Sequence, residues 1–137
     1  MNVLYPMFGM VVLTLLVAPL TFVARVRAIR SGQIAVDFLR LYDGTGAPEP
    51  VTKTTRHMAN LFEMPTLFYV ACLTGFLLQI HEALLVNLGW SYVVFRAAQA
   101  FIHLTYNKVY HRLIALMLSN AALYTMWFII ILRGIEQ

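Results

Sequence analysis

The sequence is poor in charge and almost empty of cysteine. Only 12% of its 137 residues are charged, with six acidic side chains and a single cysteine, Cys72. A soluble domain carries charge on about a quarter of its residues. So few charges cannot cover a water-facing surface, and a soluble globular domain is excluded. One cysteine permits no intrachain disulfide and no cysteine-based metal site; Cys72 reads as a small buried hydrophobe. Gly44-Thr45-Gly46 is not followed by Gly-Lys-Ser/Thr, which argues against a phosphate loop. No internal repeat or low-complexity tract is present. No Lys or Arg precedes Arg25, so the basic leader of a signal peptide is missing and the first apolar run is expected to be retained.

What is present is hydrocarbon. Apolar residues make up 61% of the chain, and the mean hydropathy is +0.74. A bilayer core of about 30 Å needs about 20 helical residues. Four segments qualify, with helices expected over about 3–29, 54–79, 83–106 and 111–133. Pro19 lies inside the first, where neighbouring helices can satisfy the freed carbonyl. Thr54 or Thr55 is the expected cap of the second. Between the first two lies the one long connection. Its apolar positions (Ile34, Val36, Phe38, Leu39, Leu41, Tyr42) fit neither helix nor strand period cleanly, and a short helix on the membrane surface is compatible with them. Asp43 to Pro50 is turn chemistry. His81-Glu82 is too short for anything but an antiparallel turn. The expected fold is all-α, a single integral membrane domain over 1–137, built as an up-down-up-down four-helix bundle.

The cations give an orientation. Arg25, Arg27, Arg30, Arg40, Lys53, Arg56, Lys108 and Arg112, eight of the ten Lys and Arg, fall in or beside the connections after the first and third helices. Only Arg133 lies on the other side. The positive-inside rule then makes the loaded face cytoplasmic and places both termini on the non-cytoplasmic side. The net charge of +4 follows this topology and forms no basic stripe, so nucleic acid is not an expected partner.

Arg96 is the tenth cation and lies within a span, where a charge costs about 2.5–3.5 kcal/mol. Glu63 is the matching anomaly in the second helix. Glu63 is eight residues in from Thr55, roughly 12 Å; Arg96 is ten residues in from Tyr106, roughly 15 Å. The two are expected to face each other at similar depth, within a subunit or across an interface. Arg56, Asn60 and Glu63 stand at i, i+4 and i+7, and Arg96, Gln99 and His103 at i, i+3 and i+7, so each set shares a helix face. Two such stripes imply a polar cleft open to the cytoplasm, with cations in excess, suited to a ligand with carboxylates and an ammonium group. His57, His103 and His111 offer no paired ligand spacing, so no metal is expected. Ala115 and Ser119 with Asn120 fit close helix contact or an oligomer interface.

Arg56-x3-Asn60-x2-Glu63, followed by Pro65 at the head of the second of four membrane helices, resembles the family of membrane-associated proteins in eicosanoid and glutathione metabolism. The resemblance covers nearly the whole chain, and Thr54-Thr55-Arg56-His57 with Asn60-Leu61-Phe62-Glu63 looks most like the short bacterial members. It implies a bacterial inner-membrane homotrimer, with glutathione held at subunit interfaces near the cytoplasmic half of the membrane and lipophilic molecules arriving from the surrounding lipid. By position, Arg56, Asn60 and Glu63 match residues that hold glutathione, Glu63 meeting its amino group and Arg56 a carboxylate. Arg96 matches the family's third-helix arginine; Gln99 and His103 replace a His-or-Tyr and a Tyr. Arg112 stands sixteen residues after Arg96, the spacing of the arginine that activates the glutathione thiol in the prostaglandin synthase branch. An arginine beside the first loop contributes in the family, which here means Arg25 or Arg27. The implied function is a glutathione-dependent transferase or peroxidase acting on lipophilic electrophiles, its thiolate stabilised by arginine. The alternative is a non-catalytic membrane protein that binds lipid or glutathione on the same fold, which the departures at Gln99 and His103 favour. A transporter is disfavoured because the chain shows no inverted repeat.

Overall fold

The computed structural model describes residues 2–33 and 48–136; the side chains at 21, 50, 53–54, 56–58 and 60–62 are outside the description. The expected surface helix after Ser31 and most of the Asp43–Pro50 turn lie outside the described residues. Four helices make up the fold: α1 Leu4–Arg30, α2 Glu49–Leu77, α3 Ala83–Leu104 and α4 Val109–Ile135. No strand occurs among the described residues. The architecture is all-α and compatible with a four-helix bundle.

The ends of the helices follow local chemistry. α1 closes with Gly32 at φ +69°, and the Gln33 N–H reaches back to Ala28 O at 3.0 Å. α2 closes the same way, with Gln79 at φ +53° and the Ile80 N–H on Gly75 O at 3.0 Å. A left-handed residue at this place turns the chain and occupies orphan carbonyls. α2 begins at Glu49, five residues before the expected start at 54, and neither Thr54 nor Thr55 caps it. Pro50 is the reason: a proline in the first helical turn has no N–H to lose, and Glu49 complements the positive end of the helix. α3 stops at Leu104 and not 106.

The interior is lined by Met10 and Val17 of α1, Phe68, Ala71 and Cys72 of α2, Leu85, Val86, Tyr92 and Ala100 of α3, and Ala122, Leu123, Met126 and Ile130 of α4. α1 crosses α3 closely, because Gly89 faces Pro6: a Cβ on Gly89 would stand 2.7 Å from Pro6 Cγ. α3 and α4 run antiparallel, since Gly89 meets Met126 while His103 meets Arg112.

The outer surface is apolar. Leu15, Leu16 and Phe22 of α1, Leu67, Val70 and Phe76 of α2, Leu84, Val94 and Phe101 of α3, and Ile114, Met117 and Phe128 of α4 are all exposed. Soluble proteins rarely expose apolar surface so continuously. α1 and α4 are long and apolar enough to cross a membrane. Among the described residues of α2, Glu63–Leu77 is an apolar stretch, and α3 carries Arg96, Gln99 and His103 among its apolar residues. Those three side chains point inward, so the outer face of α3 stays apolar. These features fit an integral membrane protein.

Candidate functional site

The site is carried by α3. Leu85, Gly89, Tyr92, Arg96, Gln99 and His103 recur every three or four residues and are all buried, so one stripe changes from apolar to polar along a single face. Arg96 is only 1% exposed. Its Nε donates to Tyr92 Oη at 3.1 Å, its Nη1 donates to Gln99 Oε1 at 2.9 Å, and its carbon centre lies 5.3 Å from the Tyr92 ring centroid. Tyr92 in turn stacks on Phe68 of α2, with centroids 4.2 Å apart and planes 14° from parallel. The aromatic pair thus forms a floor for the guanidinium. Arg96 Nη2 is buried with no hydrogen-bond partner among the described residues. A buried charge without an ion partner is costly and calls for an anion.

Toward the α3–α4 turn the stripe continues. His103 is 3% exposed. Its Nδ1 accepts from Arg112 Nη1 at 2.7 Å, and Asn107 Oδ1 accepts from the same nitrogen at 3.3 Å. Arg112 is half-buried in the first turns of α4, where the helix N-terminus adds partial positive charge. Beside it Tyr106 Oη and His111 Nδ1 are 3.2 Å apart, their rings edge to face. Neither Arg96 nor Arg112 meets a carboxylate among the described residues.

The second helix does not complete this stripe within the chain. Pro65, Phe68, Ala71, Cys72 and Gly75 are the buried face of α2. Glu63 precedes Pro65 by two residues, about 160° around the helix from it, and is exposed. The expected Glu63–Arg96 pair therefore does not form within one chain. Small residues and Phe68 take the interior of α2, and the carboxylate is left pointing away from it. Arg56 and Asn60 lie on α2, but their side chains are outside the description. Of the two first-loop candidates, Arg25 turns toward α2: its Nη2 donates to Thr55 Oγ1 at 3.4 Å, and its Nε is buried without a partner among the described residues. Arg27 is exposed and lines a cavity of about 440 Å³ with Leu20, Val23, Val51 and Leu104.

The structure brings together Arg96, Gln99, His103 and Arg112, and leaves Glu63 apart. Two participants escaped the sequence reading. Tyr92 lies four residues before Arg96 and so shares its face, a signal the spacing rule contained. Asn107 takes φ +48°, a left-handed conformation that Asn tolerates better than most residues, but no spacing rule points its amide at Arg112. Among the described residues no cluster of His, Cys, Asp and Glu is arranged to hold a metal.

No curated protein and no solved structure matches the chain. Its sequence matches the model of the MAPEG family over residues 3–132. That match spans nearly every helix and the whole polar stripe of α3, and the chain belongs to the MAPEG family.

Proposed function

We propose that the chain is a membrane-bound glutathione-dependent transferase or peroxidase that acts on lipophilic electrophiles. One observation carries the reading. Two guanidiniums, the buried Arg96 of α3 and the half-buried Arg112 of α4 that bonds to His103 of the same stripe, meet no carboxylate among the described residues. A stripe of this charge favours an anionic ligand, and a tripeptide thiolate supplies one. Membership of the family makes glutathione the natural candidate. Arg112, always charged, lowers the free energy of the thiolate relative to the thiol. The sulfur then attacks an electrophilic carbon to form a thioether, either displacing a leaving group that departs with its bonding electrons or opening a double bond or epoxide whose electron pair takes up a proton. Alternatively, with a second glutathione, it reduces a peroxide to alcohol and water with release of the disulfide.

Glu63 supports an oligomeric site. A carboxylate on the outer face of a membrane helix is expensive unless it is paired, and among the described residues it has no ion pair. In a homotrimer it would face a neighbouring copy and meet the glutathione amino group there, with Arg56 and Asn60 on the same face. Arg25 and Arg27 mark the cytoplasmic end of α1 in this reading, which keeps the up-down-up-down bundle in a bacterial inner membrane with both termini on the non-cytoplasmic side.

The experiment is glutathione binding by calorimetry in detergent, with thiolate absorbance recorded in parallel, for the wild type and for Arg56→Ala, Glu63→Gln and Arg112→Ala. The reading expects binding by the wild type, weaker binding by the first two variants, and loss of thiolate absorbance in the third. Equal binding by all four would sink the site assignment. A second reading, a non-catalytic lipid- or glutathione-binding protein, is favoured by an apolar groove of about 520 Å³ lined by Met7, Val11, Thr14, Leu15, Ala18, Tyr69 and Leu73. Binding without thiolate formation would select it.

A further inference from the structure

A guanidinium only donates hydrogen bonds. The 2.7 Å contact from Arg112 Nη1 therefore requires a lone pair on His103 Nδ1 and puts the imidazole proton on Nε2. Asn107 Oδ1 takes a second bond from the same nitrogen at 3.3 Å. Nη1 carries two hydrogens, and two acceptors use both. Both acceptors are themselves held. His103 is buried in the last turn of α3. Asn107 sits in the turn just after it at φ +48°, with its N–H on Ile102 O at 2.8 Å.

The choice of nitrogen matters. Nη1 is the terminal nitrogen cis to Cδ, so holding it leaves the opposite edge, Nε with Nη2, free of bonds among the described residues. That edge presents two parallel N–H groups, the fork that binds an anion in bidentate fashion. An arginine on a long flexible stem is a poor stabiliser of a single atom unless its rotamers are restricted beforehand. Two acceptors, one in the last turn of α3 and one in the turn that follows it, restrict them.

We infer that His103 and Asn107 are positioning residues for Arg112: they hold it by Nη1 and turn its Nε–Nη2 edge toward the glutathione sulfur. The assignment rests on the role proposed above for Arg112. It gives the imidazole that stands in place of the family's tyrosine a task a phenol does less well, since the acceptor here is an sp² nitrogen with its lone pair in the ring plane. It also brings in Asn107, a residue outside the expected glutathione contacts.

The test uses the full chain in detergent and two readouts. The first needs no glutathione: ¹⁵N spectra of labelled histidine, with His103 assigned by its disappearance in His103→Leu. The expected result is an Nε2–H tautomer whose Nδ1 signal moves in Arg112→Ala; a proton on Nδ1 overturns the clamp. The second is titration of the bound glutathione thiol by thiolate absorbance. His103→Leu and Asn107→Gly are each expected to raise the thiol pKa by about one unit, a tenfold loss of thiolate below that pKa, with a smaller change in affinity. Asn107→Gly keeps the left-handed backbone and removes only the amide, so it remains informative if His103→Leu folds poorly. His103→Asn returns an acceptor oxygen near the Nδ1 position and is expected to restore most of the shift. Titration of His103→Leu and Asn107→Gly like the wild type, or of His103→Asn like His103→Leu, overturns the positioning role. If the wild type forms no thiolate at all, the proposed function falls, and the tautomer alone decides whether the clamp exists.

Discussion

Gly89→Ala puts a methyl group where Pro6 already stands. A Cβ on residue 89 would lie 2.7 Å from Pro6 Cγ and 3.1 Å from Pro6 Cβ. A pyrrolidine ring has no rotamer to swing away, and Pro6 is in the first turn of α1, so the start of that helix must move bodily. Overpacking of this kind costs about 1–3 kcal/mol. Against it stands the helix preference of Ala over Gly, about 1 kcal/mol. The net expectation is a loss of up to about 2 kcal/mol. Gly134→Ala is the control. There a Cβ meets only Leu78 Cδ1, at an ordinary 3.6 Å, so the helix preference acts alone and the change stabilises by about 0.5–1 kcal/mol. Cys72 supplies the assay, because it is fully buried and a maleimide reaches it only when the bundle opens. With about 1.4 kcal/mol for each tenfold, Gly89→Ala should label about twofold to about a hundredfold faster than Gly134→Ala. Labelling of Gly89→Ala no faster than the control would refute the close-contact reasoning. The crossing matters for function because Gly89 is seven residues, about 10 Å, up α3 from Arg96.

Tyr92→Phe removes the acceptor of Arg96 Nε while keeping the stack on Phe68. It should cost about 1–3 kcal/mol, and clearly less in an Arg96→Met background, a coupling that a double-mutant cycle on Cys72 labelling measures. Glu63→Gln should leave Cys72 labelling of the isolated chain unchanged, because the carboxylate has no ion pair among the described residues, yet weaken glutathione by about tenfold or more in calorimetry. Arg133 joins Glu82 of the α2–α3 turn to Glu136 beyond α4 on an exposed surface. Arg133→Ala should therefore change Cys72 labelling by less than about fivefold.

Much of the fold was legible in the chain. The helices expected from apolar runs begin and end close to those observed, because a run of about twenty apolar residues admits few alternatives to a helix. The start of α2 was misread: Glu49-Pro50 reads as a turn dipeptide but serves as a first helical turn. The polar stripe of α3 was legible as a set, since spacing places Arg96, Gln99 and His103 on one face whatever surrounds them. The partners of those groups were not. Gln99 accepts from Arg96 within α3, and His103 of α3 accepts from Arg112 in the first turns of α4. Reasoning from charge alone sends Arg96 to Glu63, because a carboxylate is the stronger partner.

The sequence by itself determined composition, helices, the polar faces and the family. These depend on local period and on the cost of polar groups in hydrocarbon, which act residue by residue. Tertiary structure decided the rotation of each helix about its own axis. That rotation turns Arg96 onto Tyr92 and Phe68 and leaves Glu63 outside. It depends on which faces pack: the small face of α2 at Ala71 and Gly75 lies closer to its neighbours than the face carrying Glu63 could, and no periodicity ranks two faces by how tightly they fit.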